Sequence, residues 1–520
     1  MTERIKILGP PGCGKTYAEI DMYRGFLLKG YVAEDITVTT FRKPSAEDLI
    51  TKLQPYAIGK EIRDHVGTLH SICYRLLGRP EVITPKDILK FAKDYGYAPY
   101  MQNMTASSNS DDEEMAYSGQ LIDLYIWMRN TRTPVEKWYL YPGAAKIQLP
   151  ADRVPEFIED YEHFKKTLGK IDFSDMIEHV LIEKIPLDTP ILIVDEFQDL
   201  TRQQYELFKM WANGCEYVII AGDPLQSIYG FWGGSPDYFN EWNAKMSILS
   251  QSYRLKTPIW NLTTEILRAE GQMVPEVETM ADYGPGTITY VDYTQELPMH
   301  VGSELHLVRC NYQAQAIAMQ LARQGYIFGG LCGWSESEVN LFNALLRVRT
   351  EAPLMGKDMK SLLDNYPAKY FRYTGRKTDF IESLKTDYVP TIAAMSKYIG
   401  DDLHTILNSD FPAYYIRSNN DLTKEKMNEA ITRPCNQKLI TADDLKMRRI
   451  LTIHGAKGME ADTVYLHTGI TPRIKEKILI PGEDSAAEAR VWHVGVTRAK
   501  SKLYLITDRG YNYEMPWVVA

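Results

Sequence analysis

Between residues 9 and 16 the chain reads GPPGCGKT, the spacing GxxxxGK followed by Ser or Thr, set between an apolar run at Ile5 to Leu8 and a helical-period stretch from Lys15 to Lys29. A strand that turns through glycines into a helix N-terminus commits the chain to an α/β architecture, because such a helix crosses back over a parallel sheet. Glycines let consecutive backbone N–H groups wrap a phosphate, and the helix adds the positive end of its dipole. Gly9, Pro10, Pro11, Gly12, Cys13, Gly14, Lys15 and Thr16 are therefore the expected phosphate cradle. Lys15 would reach the β and γ phosphates and Thr16 would hold magnesium, so ATP and Mg2+ are the expected cofactors.

A second constraint is ILIVDEFQD, Ile191 to Asp199, where a buried apolar strand ends in carboxylates. Buried strands rarely end that way without a cation. Asp195 at the strand's C-terminal end is placed to hold magnesium, and Glu196 is placed to orient and deprotonate water. The competing reading is an acidic turn that caps a helix starting near Thr201.

The 520 residues suggest three or four domains, and 44% apolar with 24% charged residues give each an ordinary core. The net charge of -9 has the wrong sign for coating nucleic acid by bulk attraction, so any such site must be a local groove. Six scattered cysteines form no CxxC pair, so neither a disulfide framework nor a zinc site is indicated, and a reducing cytoplasm fits. The first apolar run is too short for a signal-peptide core, and no run approaches the ~20 residues that span a bilayer, so no membrane partner is expected.

Strand-like runs resume at 191–194, 217–221, 305–308, 450–453, 464–467 and 503–506. Two helix-leaning stretches interrupt them. The predicted organisation is a first α/β core at 1–72 and 166–255 with a helical insertion at 73–165, and a second core at 256–349 and 441–520 with an insertion at 350–440. Within the first insertion, SSNSDDEE at 107–114 reads as a solvated loop. The run Tyr125 to Tyr141 interleaves aromatics with cations, and it reads as core, with a second nucleic-acid surface as the alternative.

With both motifs in hand, the sequence resembles the UvrD/Rep/PcrA family of superfamily 1 DNA helicases, because further family motifs follow in order. VTTFRKPSAEDL (38–49), GTLHS (67–71) and IDFSDMI (171–177) resemble its first-core segments. GDPLQSIYGFWGG (222–234) and LSQSYR (249–254) resemble its glutamine sensor and Tyr-Arg motif, and TIHGAKGMEAD (452–462) and EARVWHVGVTRAK (488–500) its last two. The resemblance implies two RecA-like P-loop cores with parallel sheets, each carrying a mostly helical insertion. It implies that Gln226 contacts the γ-phosphate, Tyr253 stacks on the base, Arg254 and Arg498 approach the γ-phosphate, and Glu460 accepts from ribose. Its catalytic set is thus Lys15, Asp195, Glu196, Gln226, Arg254 and Arg498. For nucleic acid, Phe41, Tyr229, Phe231 and Trp232 would stack on bases, a contact that needs no particular sequence. Thr40, Thr68, His70, Thr452 and His454 match positions that touch the strand backbone, while a neutral core or surface role is the plainer reading of the two histidines.

The implied activity is ATP-dependent, 3′ to 5′ movement on single-stranded DNA with duplex separation at junctions, in a bacterial or phage-infected cytoplasm. Two rivals stand beside it: a translocase with little unwinding, suggested by a short second insertion, and a nucleic-acid-binding ATP switch without turnover. The chain departs from the family pattern in four places. Eight residues precede Gly9, which leaves no segment carrying the family's adenine-reading glutamine and puts strict ATP selectivity in question. Gly230 and Trp232 stand where arginines are usual after the sensor glutamine. YTGRKT at 373–378 is only a faint match to the duplex-contacting turn, and the chain ends soon after 503–506, the compact form expected of a phage or mobile-element enzyme.

Overall fold

The computed structural model describes residues 2–57, 61–101, 120–279, 286–292, 298, 300, 302–354, 356–372, 399–433, 436–507 and 513–517. The predicted loop at 107–114 and the turn at 373–378 lie outside them. The chain divides into two compact units, Met1–Thr287 with Arg473–Ser501, and Ile288–Pro472 with Lys502–Ala520. Among the described residues no helix is long and apolar enough to cross a membrane.

Unit 1 is built on a sheet of order β3-β2-β4-β5-β1-β6, in which every pairing is parallel. The strands are β1 (Glu3–Leu8), β2 (Ile36–Thr40), β3 (Val66–Thr68), β4 (Ile191–Val194), β5 (Tyr217–Gly222) and β6 (Lys245–Ile248). β2 and β4 are buried at every position, as apolar runs covered by helices on both faces must be. Leu192, Val194, Phe208 and Trp211 join the core on one face, and Ile7, Ile20, Ile193 and Ile219 join that on the other. The order places the C-terminal ends of β1, β4 and β5 side by side, where open α/β sheets bind ligands.

The insertion folds around Phe91, Tyr97, Phe157 and Tyr161, contributed by helices Pro85–Asp94 and Val154–Leu168 and the turn between 95 and 100. Tyr125, Trp127 and Met128 of helix Gln120–Thr131 are buried there too, so the first part of the aromatic run is core, while Tyr139 farther along it is exposed. Several of the insertion's cations are used internally. Lys165 reaches Asp172 at 2.9 Å and Asp175 at 2.6 Å, and Arg129 reaches Asp175 at 3.3 Å, tying the insertion to helix Phe173–Ile182.

Sequence patterning grouped 256–287 and 473–501 with the second core. In the folded chain they lie in unit 1, because helix Thr257–Ala269 packs along helix Glu483–Val496 and Thr263 meets His493 at 2.7 Å.

Unit 2 carries the second sheet, order β7-β12-β11-β8-β10-β9, from β7 (Thr287–Asp292), β8 (Glu304–Val308), β9 (Gly329–Gly330), β10 (Arg448–Thr452), β11 (Ala461–His467) and β12 (Ala499–Thr507). β8 pairs in parallel with both β10 and β11. Helices Ala314–Arg323, Glu336–Arg349, Gly356–Asn365 and Asp421–Thr432 bury Leu321, Phe342, Leu362 and Met427 in one continuous core. The molecule thus contains the two parallel-sheet α/β cores that the sequence predicts.

Candidate functional site: a phosphate cradle, a carboxylate cluster and a basic groove

β1 leads into the glycine loop, whose first residue continues the sheet pairing through Gly9 N–H to Gly222 O at 3.1 Å. The loop closes on itself with Cys13 N–H to Pro10 O, and α1 (Lys15–Leu28) starts immediately after Gly14. Gly12 and Gly14 hold φ of +74° and +81°, a region that L side chains rarely adopt. At Gly12 the space is also taken: an added Cβ would stand 2.6 Å from Arg254 Cβ and 2.8 Å from Ser252 Oγ. The loop and the 249–254 turn are therefore fitted to one another. Tyr253 N–H donates to Gly12 O at 2.8 Å and Ser252 Oγ to Pro11 O at 3.0 Å, which sets the Tyr253 ring, 64% exposed, beside Gly14. Lys15 Nζ donates to Gly9 O at 2.7 Å, so the ammonium lies over the loop with Thr16 next to it. Burial pushes the Cys13 thiol up to about 11, so Cys13 lines the loop without being a nucleophile.

The carboxylates follow from the end of β4. Asp195 N–H donates to Thr39 O at 2.8 Å, extending the pairing by one residue and leaving the side chain at the sheet's edge, only 6% exposed. Its Oδ1 accepts from Glu196 N–H at 2.7 Å. Burial, and then the charge of Glu196, push the Asp195 carboxyl up to about 6. Glu196 has φ 52° and ψ 37°, a left-handed conformation costing a non-glycine residue of order 1 kcal/mol or more, and such strain concentrates at functional sites. Helix Arg202–Ala212 is capped by Thr201, whose Oγ1 accepts from Gln204 N–H at 3.3 Å, so the acidic turn is not needed as a cap.

Gln198, fully buried, ties the cluster together. Its Nε2 donates to Glu196 Oε2 at 2.5 Å, its Oε1 accepts from Asp223 N–H at 2.9 Å, and its backbone carbonyl accepts from Ser227 Oγ at 3.0 Å. Gln226 in turn donates to Asp223 Oδ2 at 2.6 Å and accepts from Arg498 Nη2 at 3.2 Å. Arg498 is 2% exposed, and helix Glu483–Val496 places it within the same unit as Lys15 and Arg254. Arg490, from that helix, donates to Ser227 O at 3.1 Å.

Among the described residues no three carboxylate, imidazole or thiol side chains form a self-sufficient cation cage. Magnesium nevertheless fits the residues present, because it is normally held by one or two protein oxygens together with phosphate oxygens and retained waters. Thr16 and Asp195 are such oxygens. Beside them Glu19 on α1 is buried, with its carboxyl set against that of Asp195 and no N–H or hydroxyl donor among the described residues on either oxygen.

A cavity of about 820 Å³ opens on the other side of the carboxylate strand. Phe41, Thr68, His70, Tyr229 and Trp232, all expected nucleic-acid contacts, line it. Phe41 and Tyr229 stack at 5.2 Å between ring centres, and Asn130 of the insertion holds Trp232 O at 3.2 Å. Lys43, Arg63, Arg75 and Arg79 face the cavity against only Glu47 and Asp64, a locally basic groove on a net-negative chain. Two expected contacts are placed differently. Thr40 is buried at the end of β2 with its hydroxyl unpaired and does not line the cavity, and Phe231, 41% exposed, lies on the rim against Tyr229 and Trp232.

The remaining expected residues belong to unit 2. Thr452 ends β10 and its Oγ1 accepts from Gly455 N–H at 3.0 Å, while His454 is half-buried in the same turn and Glu460 is exposed just before β11.

Sequence reasoning missed Gln198, Glu19, Arg490 and the arginines of the groove. Gln198 stands inside the quoted carboxylate motif but says nothing alone about its partners. Glu19 did carry a signal, since it shares the inward stripe of α1 with Tyr23 and Phe26, where a charge is out of place.

Residues 1–247 match the profile of the UvrD/REP helicase N-terminal domain, and residues 410–510 match that of the UvrD-like helicase C-terminal domain. A probable DNA helicase II homolog of Mycoplasma pneumoniae is 22% identical, the alignment covering 91% of this chain and 77% of the relative. A probable DNA helicase II homolog of Rickettsia felis is also 22% identical, over 96% of this chain and 89% of its own. The ATP-dependent DNA helicase PcrA of Staphylococcus epidermidis is 24% identical over 56% of this chain, which is 42% of that protein.

Proposed function

The chain belongs to the UvrD/REP helicase family, matched in both its N-terminal and C-terminal domains, and from that premise we propose that it is an ATP-dependent DNA helicase that moves 3′ to 5′ on single-stranded DNA. The observation that carries this reading is the continuous hydrogen-bonded path from Glu196 through Gln198 to Asp223 and Gln226, and on to Arg498, beside the phosphate cradle.

In this reading Gly9 to Thr16 hold the triphosphate and Lys15 exchanges its hold on Gly9 O for phosphate oxygens. Thr16 and Asp195 hold magnesium, which when bound neutralises charge on the β and γ phosphates. Glu196 orients the attacking water and accepts its proton. Gln226 touches the γ-phosphate, and Arg254 and Arg498 stabilise the charge that spreads over the transferring oxygens. Tyr253 offers its exposed face to the base and Glu460 accepts from the ribose. Single-stranded DNA lies in the basic groove against Phe41, Thr68, His70, Tyr229 and Trp232, with Phe231 at its rim. Thr40 supports that wall from within, and Thr452 and His454 of unit 2 meet the strand's backbone. The two α/β units are assigned as the motor's halves, Met1–Thr287 with Arg473–Ser501 and Ile288–Pro472 with Lys502–Ala520, with 73–165 as the insertion of the first and 350–440 as that of the second. ATP, Mg2+, single-stranded DNA and single-strand/duplex junctions are its ligands, and the bacterial cytoplasm its compartment.

Unwinding of 3′-tailed against 5′-tailed duplexes with ATP tests the proposal. The 3′-tailed substrate is separated, and Lys15→Ala abolishes both separation and DNA-stimulated hydrolysis. Preference for the 5′ tail refutes the direction; ATP hydrolysis without strand separation favours the translocase reading.

A further inference from the structure

Helix α1 packs Ile20, Tyr23 and Phe26 into the sheet, and Glu19 lies in that inward face, three residues beyond Thr16. Three residues of α-helix rise about 4.5 Å, so Glu19 sits nearly one turn below the threonine. Its side chain is 1% exposed and neither carboxyl oxygen has a hydrogen-bond partner of good geometry. The charges around it are Asp195, against which it lies, Lys15 and Glu196. Leaving a polar group buried and unpaired costs about 1 to 3 kcal/mol, and more for a charged one, whereas a leucine would fill the same space at no such cost. No N–H or hydroxyl group among the described residues donates to either Glu19 oxygen, and the polar group beside them is the Asp195 carboxyl, with which Glu19 can share a proton.

Magnesium bound through a hydroxyl, one carboxylate and phosphate oxygens keeps several waters, each a strengthened donor. Resting on the assignment of Thr16 and Asp195 to the cation, we infer that Glu19 is an outer-sphere carboxylate of that site, accepting hydrogen bonds from the waters the cation carries and holding Asp195 in place. It is a positioning residue, one layer behind the ligands. Outer-layer carboxylates of this kind typically contribute 10- to 100-fold to metal affinity.

The test uses Mn2+ as a paramagnetic probe of the cation site, titrated into the full chain with ADP and followed by the loss of the free-ion resonance. Glu19→Leu and Glu19→Gln are compared with the wild type, with cation-free ADP binding in EDTA and thermal unfolding measured on the same samples. Expected is ADP binding in EDTA unchanged, with Mn2+ affinity about tenfold or more weaker in E19L and several-fold weaker in E19Q, whose amide oxygen still accepts. Mn2+ affinity within twofold of wild type in E19Q, or in a folded E19L, overturns the inference. Should E19L fail to fold, E19Q, which preserves shape, decides. If wild-type protein binds no Mn2+ with ADP, the assignment of Thr16 and Asp195 fails instead, and the role of Glu19 with it.

Discussion

Replacing Gln198 by leucine removes one amide from the interior while keeping nearly the same volume, so packing is preserved and the hydrogen bonds alone are lost. Three are at stake: donation to Glu196 Oε2 at 2.5 Å and to Asp199 Oδ2 at 3.3 Å, and acceptance from Asp223 N–H at 2.9 Å. The bond to the Glu196 carboxylate is charge-assisted and short, worth roughly 1.5 to 3 kcal/mol. It is also what restrains a side chain whose backbone already adopts a left-handed conformation. If that energy is what keeps Glu196 aimed at water, its loss enters the barrier and lowers turnover roughly 10- to 150-fold, at 1.36 kcal/mol per tenfold. The orphaned Asp223 N–H costs a further ~1 to 3 kcal/mol, which enters stability instead and lowers the melting temperature by roughly a few degrees. ATP hydrolysis at saturating single-stranded DNA, nucleotide affinity by fluorescent-analogue titration, and thermal unfolding separate the two. A Gln198→Leu protein that melts lower yet turns over within threefold of wild type would refute the reasoning: Gln198 would then be structural and Glu196 held by something else.

Arg498→Ala lowers DNA-stimulated hydrolysis about 10³-fold while nucleotide affinity changes only several-fold, since the arginine meets Gln226 rather than the glycine loop; near-normal stimulated turnover counts against it. Phe231→Ala weakens single-strand affinity by ~1 to 3 kcal/mol with basal hydrolysis unchanged, as fluorescence anisotropy of a labelled oligonucleotide would report, because the ring lies on the groove's rim. His493, buried beside Arg498, Arg254 and Lys15, is held down at about 3, against about 6.5 in an unfolded chain. Between those values the unfolded chain binds a proton that the folded one refuses, so stability falls as pH drops through the window. His493→Asn should flatten that slope in urea unfolding at pH 7, 5.5 and 4.5; identical slopes for both proteins would remove His493 as the cause. Asp195, raised to about 6, acts with the opposite sign, since its folded form holds a proton longer than the unfolded one between 3.8 and 6.

The local signals in the sequence were strong where backbone chemistry demands a residue type. Gly12 and Gly14 take positive φ and a strand precedes them, so the strand–loop–helix turn at 9–16 was readable in the sequence. The fully apolar β4 likewise identified its own burial, and the two sheets were predictable from alternating strands and helices. What sequence could not supply was assembly over long separations. The four groove cations come from three elements and an intervening turn, and no local pattern announces that Arg63, Arg75 and Arg79 converge. Helix Glu483–Val496 has no periodicity that says it returns to the first unit, because both sides of it are buried and the usual single apolar stripe is absent. Thr40 illustrates the reverse case, where a residue matched by resemblance to a position touching nucleic acid is buried at the end of β2.

That returning helix has a consequence for how the protein comes into being. Gln226 and its partner Arg498 are 272 residues apart in the chain. At ~5 to 20 residues per second on the ribosome, Gln226 emerges about 14 to 54 s before the arginine that completes its hydrogen bonding, and the glycine loop earlier still. During that interval the nascent chain holds a phosphate cradle and a carboxylate cluster but lacks Arg490, His493 and Arg498, the residues that line Ser227, Thr263 and Gln226. A motor assembled in this order is a phosphate-binding domain first and a hydrolase last, so an incomplete chain stalled in synthesis would occupy nucleotide without consuming it.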